Sequence, residues 1–289
     1  MLEYTRAEMT VFLQYILGGD PMFLTKKSFL KIIIMAIFYF VLGSIDISLW
    51  FVFKSMGISE NFLLILGIIV YLLCILLIVW GCYAEGKGKL IHMGNKLVRN
   101  ELKPAEFLLY YEALNQSNDL IIKNPSIEVL QLVAISYDSL DDRENALATV
   151  DEMIDIAYDK KKTFLNLFKC ALLFSYGRVE EAEGIFNQIQ KQKLDVMCNG
   201  LVDAILKNDR AKAMEDYKTV EAYNLKLLDR SFPKLDNLSK LVIHYQLGEV
   251  YEELQEFSKA ILHYQYCKDL GGETAMRKTA IEKLDDITF

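Results

Sequence analysis

Three histidines, His92, His244 and His263, are the only imidazoles in this chain of 289 residues, so any metal or acid–base centre would have to be built around them. No HExxH, GxSxG or Cys–His ligand spacing accompanies them, so zinc peptidase, serine hydrolase and zinc-finger chemistry lack their residues. Gly86-Lys87-Gly88-Lys89 does not have the GxxxxGK[ST] spacing that lets a loop cradle phosphate. Asp138, Asp141, Asp142 and Glu144 form an acidic cluster without the central glycine of a calcium loop, and they read as a solvated turn. The five cysteines (Cys74, Cys82, Cys170, Cys198, Cys267) are scattered, odd in number and free of any CxxC pair, which fits a reducing compartment rather than a disulfide framework. The expectation is a chain that is not an enzyme and needs no cofactor or metal.

The elements that position these residues fall into two kinds. Two long apolar runs, about 29–53 and 62–83, are each of the length a bilayer-crossing helix requires, and they predict a transmembrane hairpin over 29–83. Lys and Arg number four in residues 1–31, one in the connecting loop 54–61 and five in 84–103, so both termini are expected in the cytoplasm of a two-pass cell-membrane protein. Small residues recur every seven positions, Ala36 and Gly43 in the first run and Gly67, Cys74 and Gly81 in the second. They predict a close helix–helix seam. Asp46 is the one acidic residue within a span. It reads either as a functional polar contact or as a carboxylate reaching water at the outer interface. Residues 1–28 hold an amphipathic segment, with Thr5 to Glu8 as a capping box and Gly18-Gly19 as its end, suited to lying on the membrane or on the soluble part.

Charge is divided along the chain. Residues 1–103 carry a net +3 and residues 104–289 a net −10. So acidic a domain does not suit nucleic acid, which requires a basic footprint. The basic stretch 84–103, with apolar residues at near-helical spacing, reads as a juxtamembrane linker helix.

From Pro104 onward helical patterns alternate with turn signals at Asn124-Pro125, Ser139 to Asp142, Tyr176-Gly177, Asn208-Asp209 and Gly271-Gly272. The clearest unit is 244–272. It places His244, Leu247-Gly248, Tyr251, Ala260 and Tyr264 at spacings that let two antiparallel helices touch at Gly248 and Ala260 while aromatics fill the space beside them. Weaker copies place Tyr137 with Ala146, Ala182 with Phe186, and Ala213 with Tyr217. The alanines stand 36, 31 and 47 residues apart, which implies an insertion near Arg230 to Asn237.

On these residues, 126–289 resembles the tetratricopeptide-repeat family, with His244 where Trp is commonest and Gly272 near the usual Pro. The resemblance implies an all-α solenoid of stacked helix pairs with a concave groove for a protein or peptide. It implies that the first helices turn Gln131, Ile135 and Asp138, then Leu167, Ala171 and Phe174, then Tyr245, Glu249 and Glu252 towards the groove. The Lys and Asn that hold a C-terminal carboxylate in one branch of the family are missing. A groove apolar in the middle and acidic at its end suits a partner with apolar anchors and basic residues. The functional expectation is a membrane-anchored scaffold or adaptor. The alternatives are an accessory subunit of a multi-chain export complex, with Asp46 and the small-residue seam as its contact, and a peptide-binding sensor. The lipid bilayer is an expected partner, and self-association stays open.

Overall fold

The computed structural model describes residues 60–116, 125–190, 196–229 and 235–288. These residues are all-helical. The chain divides into two compact units, Met1–Gly81 and Cys82–Phe289.

The first described helix, α1, runs Glu60–Gly94. It overturns the two-helix transmembrane hairpin and, with it, the two-pass cell-membrane localisation with cytoplasmic termini. Among the described residues no helix is long and apolar enough to cross a membrane. Further along α1 stand Lys87, Lys89 and His92. The first expected span, the amphipathic segment 1–28, and Ala36, Gly43 and Asp46 lie outside the described residues. Gly67 is partly buried on α1, while the side-chain surroundings of Cys74 and Gly81 lie outside the description.

Within the second unit, α1 ends in a π-helical turn, Asn95–Asn100, and α2 follows at Pro104–Gln116. The linker expected at 84–103 belongs to this unit: Leu90, Leu97, Val98 and Leu102 are buried. Then come α3 Ile127–Ser139, α4 Arg143–Ile156, α5 Asp159–Ser175, α6 Val179–Ile189, α7 Val196–Lys207, α8 Asp209–Ala213, α9 Tyr217–Leu228, α10 Asn237–Glu253, α11 Phe257–Leu270 and α12 Ala275–Thr288.

Four helix hairpins emerge from one repeated turn. Asp141, Gly177, Glu215 and Gln255 all have positive φ, between 60° and 76°, and stand 36, 38 and 40 residues apart. Each closes the preceding helix in the same way. The next residue's N–H donates to the carbonyl five residues back: Asp142 to Tyr137 (2.9 Å), Arg178 to Leu173 (2.9 Å), Asp216 to Ala211 (2.9 Å) and Glu256 to Tyr251 (2.8 Å). This is the Schellman closure, which satisfies carbonyls that a helix end leaves open. Asp142 and Asp216 then serve as N-caps of the second helices, their carboxylates accepting from Asn145 and Thr219. The hairpins are α3–α4, α5–α6, α7/α8–α9 and α10–α11, with α12 packed against α11 and α10.

These turns correct the reading of the third hairpin. Counted from the turn, Ala146, Ala182 and Ala260 are matched by Val220, not Ala213, and all four are 0% exposed. Val150, Phe186 and Tyr264 are matched by Asn224 rather than Tyr217. Asn208 and Asp209 mark a break within the first helix, between α7 and α8, and the turn itself lies at 214–216. In the fourth hairpin Gly248 lies against the Tyr264 ring. In the third, Asn208 and Asn224 take those two places and share a hydrogen bond of 3.0 Å. An amide pair, with Asn224 buried, therefore replaces the small–aromatic contact, and the hydrophobic pattern vanishes from the sequence while the packing position is kept.

One buried cluster unites α3 to α7 through Leu130, Met153, Leu165, Phe186 and Ile205, and a smaller one joins Ala211, Val220 and Val250.

Candidate functional site

Counting back ten, six and three residues from each turn gives the positions expected to face the groove. They are Gln131, Ile135 and Asp138, then Leu167, Ala171 and Phe174, and then Tyr245, Glu249 and Glu252. The third hairpin contributes Ile205, Asp209 and Lys212, which the sequence reading passed over because its register there rested on Ala213 and Tyr217. The Glu215-Asp216 pair, so like Asp141-Asp142 and Gln255-Glu256, was the signal that could have found them.

The structure separates these positions by depth. Leu167 and Ile205 are 0% exposed and Phe174 is buried, so the apolar centre belongs to the core. Gln131, Ile135, Asp138, Ala171, Asp209, Lys212, Tyr245, Glu249 and Glu252 keep partial access to solvent.

The polar members come together across hairpins. Lys212 of α8 donates to Glu249 Oε2 of α10. Glu252 accepts from Lys283 Nζ of α12 at 2.7 Å and from the Tyr264 hydroxyl at 2.8 Å. Tyr245 shares a hydrogen bond with Thr279, one helical turn before Lys283. The Tyr176 hydroxyl donates to Asp138 Oδ1 at 2.7 Å, and the Arg143 guanidinium lies 5.3 Å from the centre of that tyrosine ring. Asp209 accepts from Asn208 Nδ2 at 2.9 Å.

Burial governs the electrostatics of this strip. It holds Asp209 up at about 7, with the charge of Asp138 adding to the rise and Lys212 opposing it. Asp138 is raised as well, chiefly by burial and against the pull of the Tyr176 hydroxyl. The result is a carboxylate-rich strip in which two lysines of this same chain supply the cations.

A second polar cluster lies between α10 and α11. His244 Nδ1 and His263 Nδ1 are 2.9 Å apart, so one imidazole must donate while the other accepts. His244 stacks on Tyr266 with ring centres 3.7 Å apart, and His263 on Tyr251 at 5.5 Å. Burial, the neighbouring His263 and Lys240 push His244 down to about 4. Burial also lowers His263.

Cys170, Cys198 and Cys267 are buried and form no disulfide. Burial pushes the thiols of Cys170 and Cys267 up to about 12, which suppresses the thiolate that would react. Among the described residues, no group of three or more His, Cys, Asp or Glu could hold a metal ion.

The fold and the strip define an all-helical array of hairpins with a polar surface running along its first helices. Comparison of the chain with protein-family models, with curated proteins and with solved structures finds no match.

Proposed function

We propose that this chain is a scaffold or adaptor, and that the strip formed by Gln131, Ile135, Asp138, Asp209, Lys212, Glu249 and Glu252 binds a protein partner. The observation that carries the reading is a bridge between hairpins within that strip: Glu249 is held by Lys212 of the preceding hairpin. The resemblance of 244–272 to a tetratricopeptide unit supports the same assignment. Its carboxylates suit a partner segment bearing Lys or Arg.

The test is site-specific photo-crosslinking of the intact chain in the cells that make it. A benzophenone side chain at Gln131 or Ile135 is expected to trap one common species. The same group at Leu262 or Ile156, exposed on second helices of their hairpins, is expected not to trap it. Adducts formed from Leu262 and Ile156 but not from the strip would overturn the proposal.

A further inference from the structure

The two ends of the array are tied together by the segment that precedes it. The π-helical turn Asn95–Asn100 packs against both α3 of the first hairpin and α10 of the last. Its contacts to the C-terminal end are specific. Arg99 Nη1 donates to Asp236 Oδ2 at 3.1 Å, while Asp236 Oδ1 caps α10 by accepting from Ser239 N–H at 2.7 Å. Asn237 Nδ2 donates to the Asn100 carbonyl at 2.7 Å. Further on, Glu273 N–H donates to the Leu102 carbonyl at 2.9 Å.

That last contact depends on unusual backbone at both partners. Leu102, a buried non-glycine residue, sits at φ 56°, a region that a β-substituted residue occupies only when its surroundings compel it. Gly272 sits at φ +57°, and a Cβ there would collide with the Leu102 carbonyl and stand 2.6 Å from the Leu102 Cβ. Leu97, Val98 and Leu102 are buried beneath the junction. Beside it, the turn of the first hairpin (Leu140, Asp141), the turn before α12 (Gly272, Thr274) and the first residues of α12 (Arg277, Lys278) line one cleft of about 740 Å³. The first hairpin and the last helix thus meet at a seam, and the 95–103 segment spans it.

We infer that residues 95–103 form a clasp that closes the hairpin array on itself and keeps Glu249 and Glu252 of the carboxylate strip occupied by the chain's own lysines until it is released. The inference rests on the proposed reading of that strip as the binding surface. While the clasp is shut, Glu249 and Glu252 stay paired with the chain's own Lys212 and Lys283. Release would widen the seam and free the same carboxylates for a partner's cations.

Two variants of the full chain open the clasp from opposite sides: Arg99→Ala removes the bridge to Asp236, and Gly272→Ala cannot keep the close approach to Leu102. Hydrogen exchange is read at residues 97–103 and 271–275. Acylation of individual lysines by a small amine reagent is read by mass spectrometry. Each variant is expected to speed exchange at both sites by about tenfold, including the site it does not touch, because a clasp opens as one unit. Acylation of Lys212 and Lys283 should rise about fivefold as their ion pairs are freed, and that of Lys218 and Lys226 should not change. Exchange rising only at the substituted contact would overturn the inference, and so would exchange rising at both sites with Lys212 and Lys283 unaffected. Neither readout uses a partner, so such a result leaves the crosslinking test of the strip standing.

Discussion

Replacing Gly248 by alanine adds one methyl group at the closest point between α10 and α11. The new Cβ would stand 2.6 Å from Tyr264 Cε1 and 2.7 Å from Cδ1. The ring has no free space to retreat into, because Tyr264 is 0% exposed and its hydroxyl is bound to Glu252 at 2.8 Å. Overpacking of this kind costs about 1–3 kcal/mol. Displacing the ring also strains a hydrogen bond to a charged group, worth about 1.5–3 kcal/mol when lost outright. Against these, alanine is the better helix former by about 1 kcal/mol. The net expectation is a loss of about 2 kcal/mol, or a fall in Tm of about 4–8 °C for a unit of this size. Gly184 supplies the control: it lies inside α6, and a Cβ there meets nothing within 4 Å. Gly184→Ala should therefore raise stability by up to about 1 kcal/mol. Thermal unfolding of both variants followed by circular dichroism decides the matter. If the two substitutions shift Tm in the same direction, helix propensity governs both positions and the close approach of α10 to α11 is refuted.

Other expectations follow from the turns and the buried polar groups. Gln255→Gly should stabilise by about 0.5–1 kcal/mol, since Gln255 has φ 60° and glycine accepts that conformation without strain; urea unfolding would show it. Asn224→Ala removes a buried side chain and the donor to Asn208 Oδ1 and should cost about 1–3 kcal/mol, again by urea unfolding. His244 is lowered on folding to about 4, so the unfolded chain binds more protons between about 4 and the ordinary value of 6.5. The stability it contributes is present above 6.5 and lost as pH falls towards 4, and His244→Gln should flatten that part of the stability–pH curve. Asp209 is raised to about 7, so the folded chain binds more protons between 3.8 and 7 and stability declines as pH climbs through that range. Asp209→Asn should accordingly stabilise by about 2 kcal/mol at pH 8, after discounting for solvent, and by little near pH 4.

How much of this was legible in the sequence depended on what each position asked of its side chain. The fourth hairpin was readable because Gly248, Ala260 and Tyr264 meet a steric demand that few residues satisfy. The first two hairpins were readable at Ala146, Ala182 and Phe186 for the same reason. The third was misplaced because its packing positions are filled by Val220 and by a hydrogen-bonded amide pair, Asn208 with Asn224. Those residues obey no hydrophobic period, and their suitability appears only when the partner across the hairpin is known. The misplacement hid Asp209 and Lys212, the second of which pairs with Glu249 of the fourth hairpin. The transmembrane reading, drawn from the length of two apolar runs and the Lys and Arg around them, was not borne out: among the described residues no helix is long and apolar enough to cross a membrane.

The clasp was invisible for a different physical reason. Arg99 and Asp236 are 137 residues apart, and nothing local marks either as half of a contact. Only Gly272 carried a hint, and its sequence neighbours made it look like an ordinary helix stop. Seen with Leu102 beside it, the glycine has a second duty, to admit another backbone at a distance no side chain allows. A helix-terminating glycine can be replaced by asparagine at modest cost. One that also receives a carbonyl cannot, so Gly272→Asn and Gly177→Asn separate the two roles. Gly177 has positive φ and nothing near its missing Cβ. Its replacement should be nearly neutral, while Gly272→Asn should release Leu102 and raise exchange at the Glu273 amide. Equal tolerance at the two positions would mean that the ends of the array are not held by this contact.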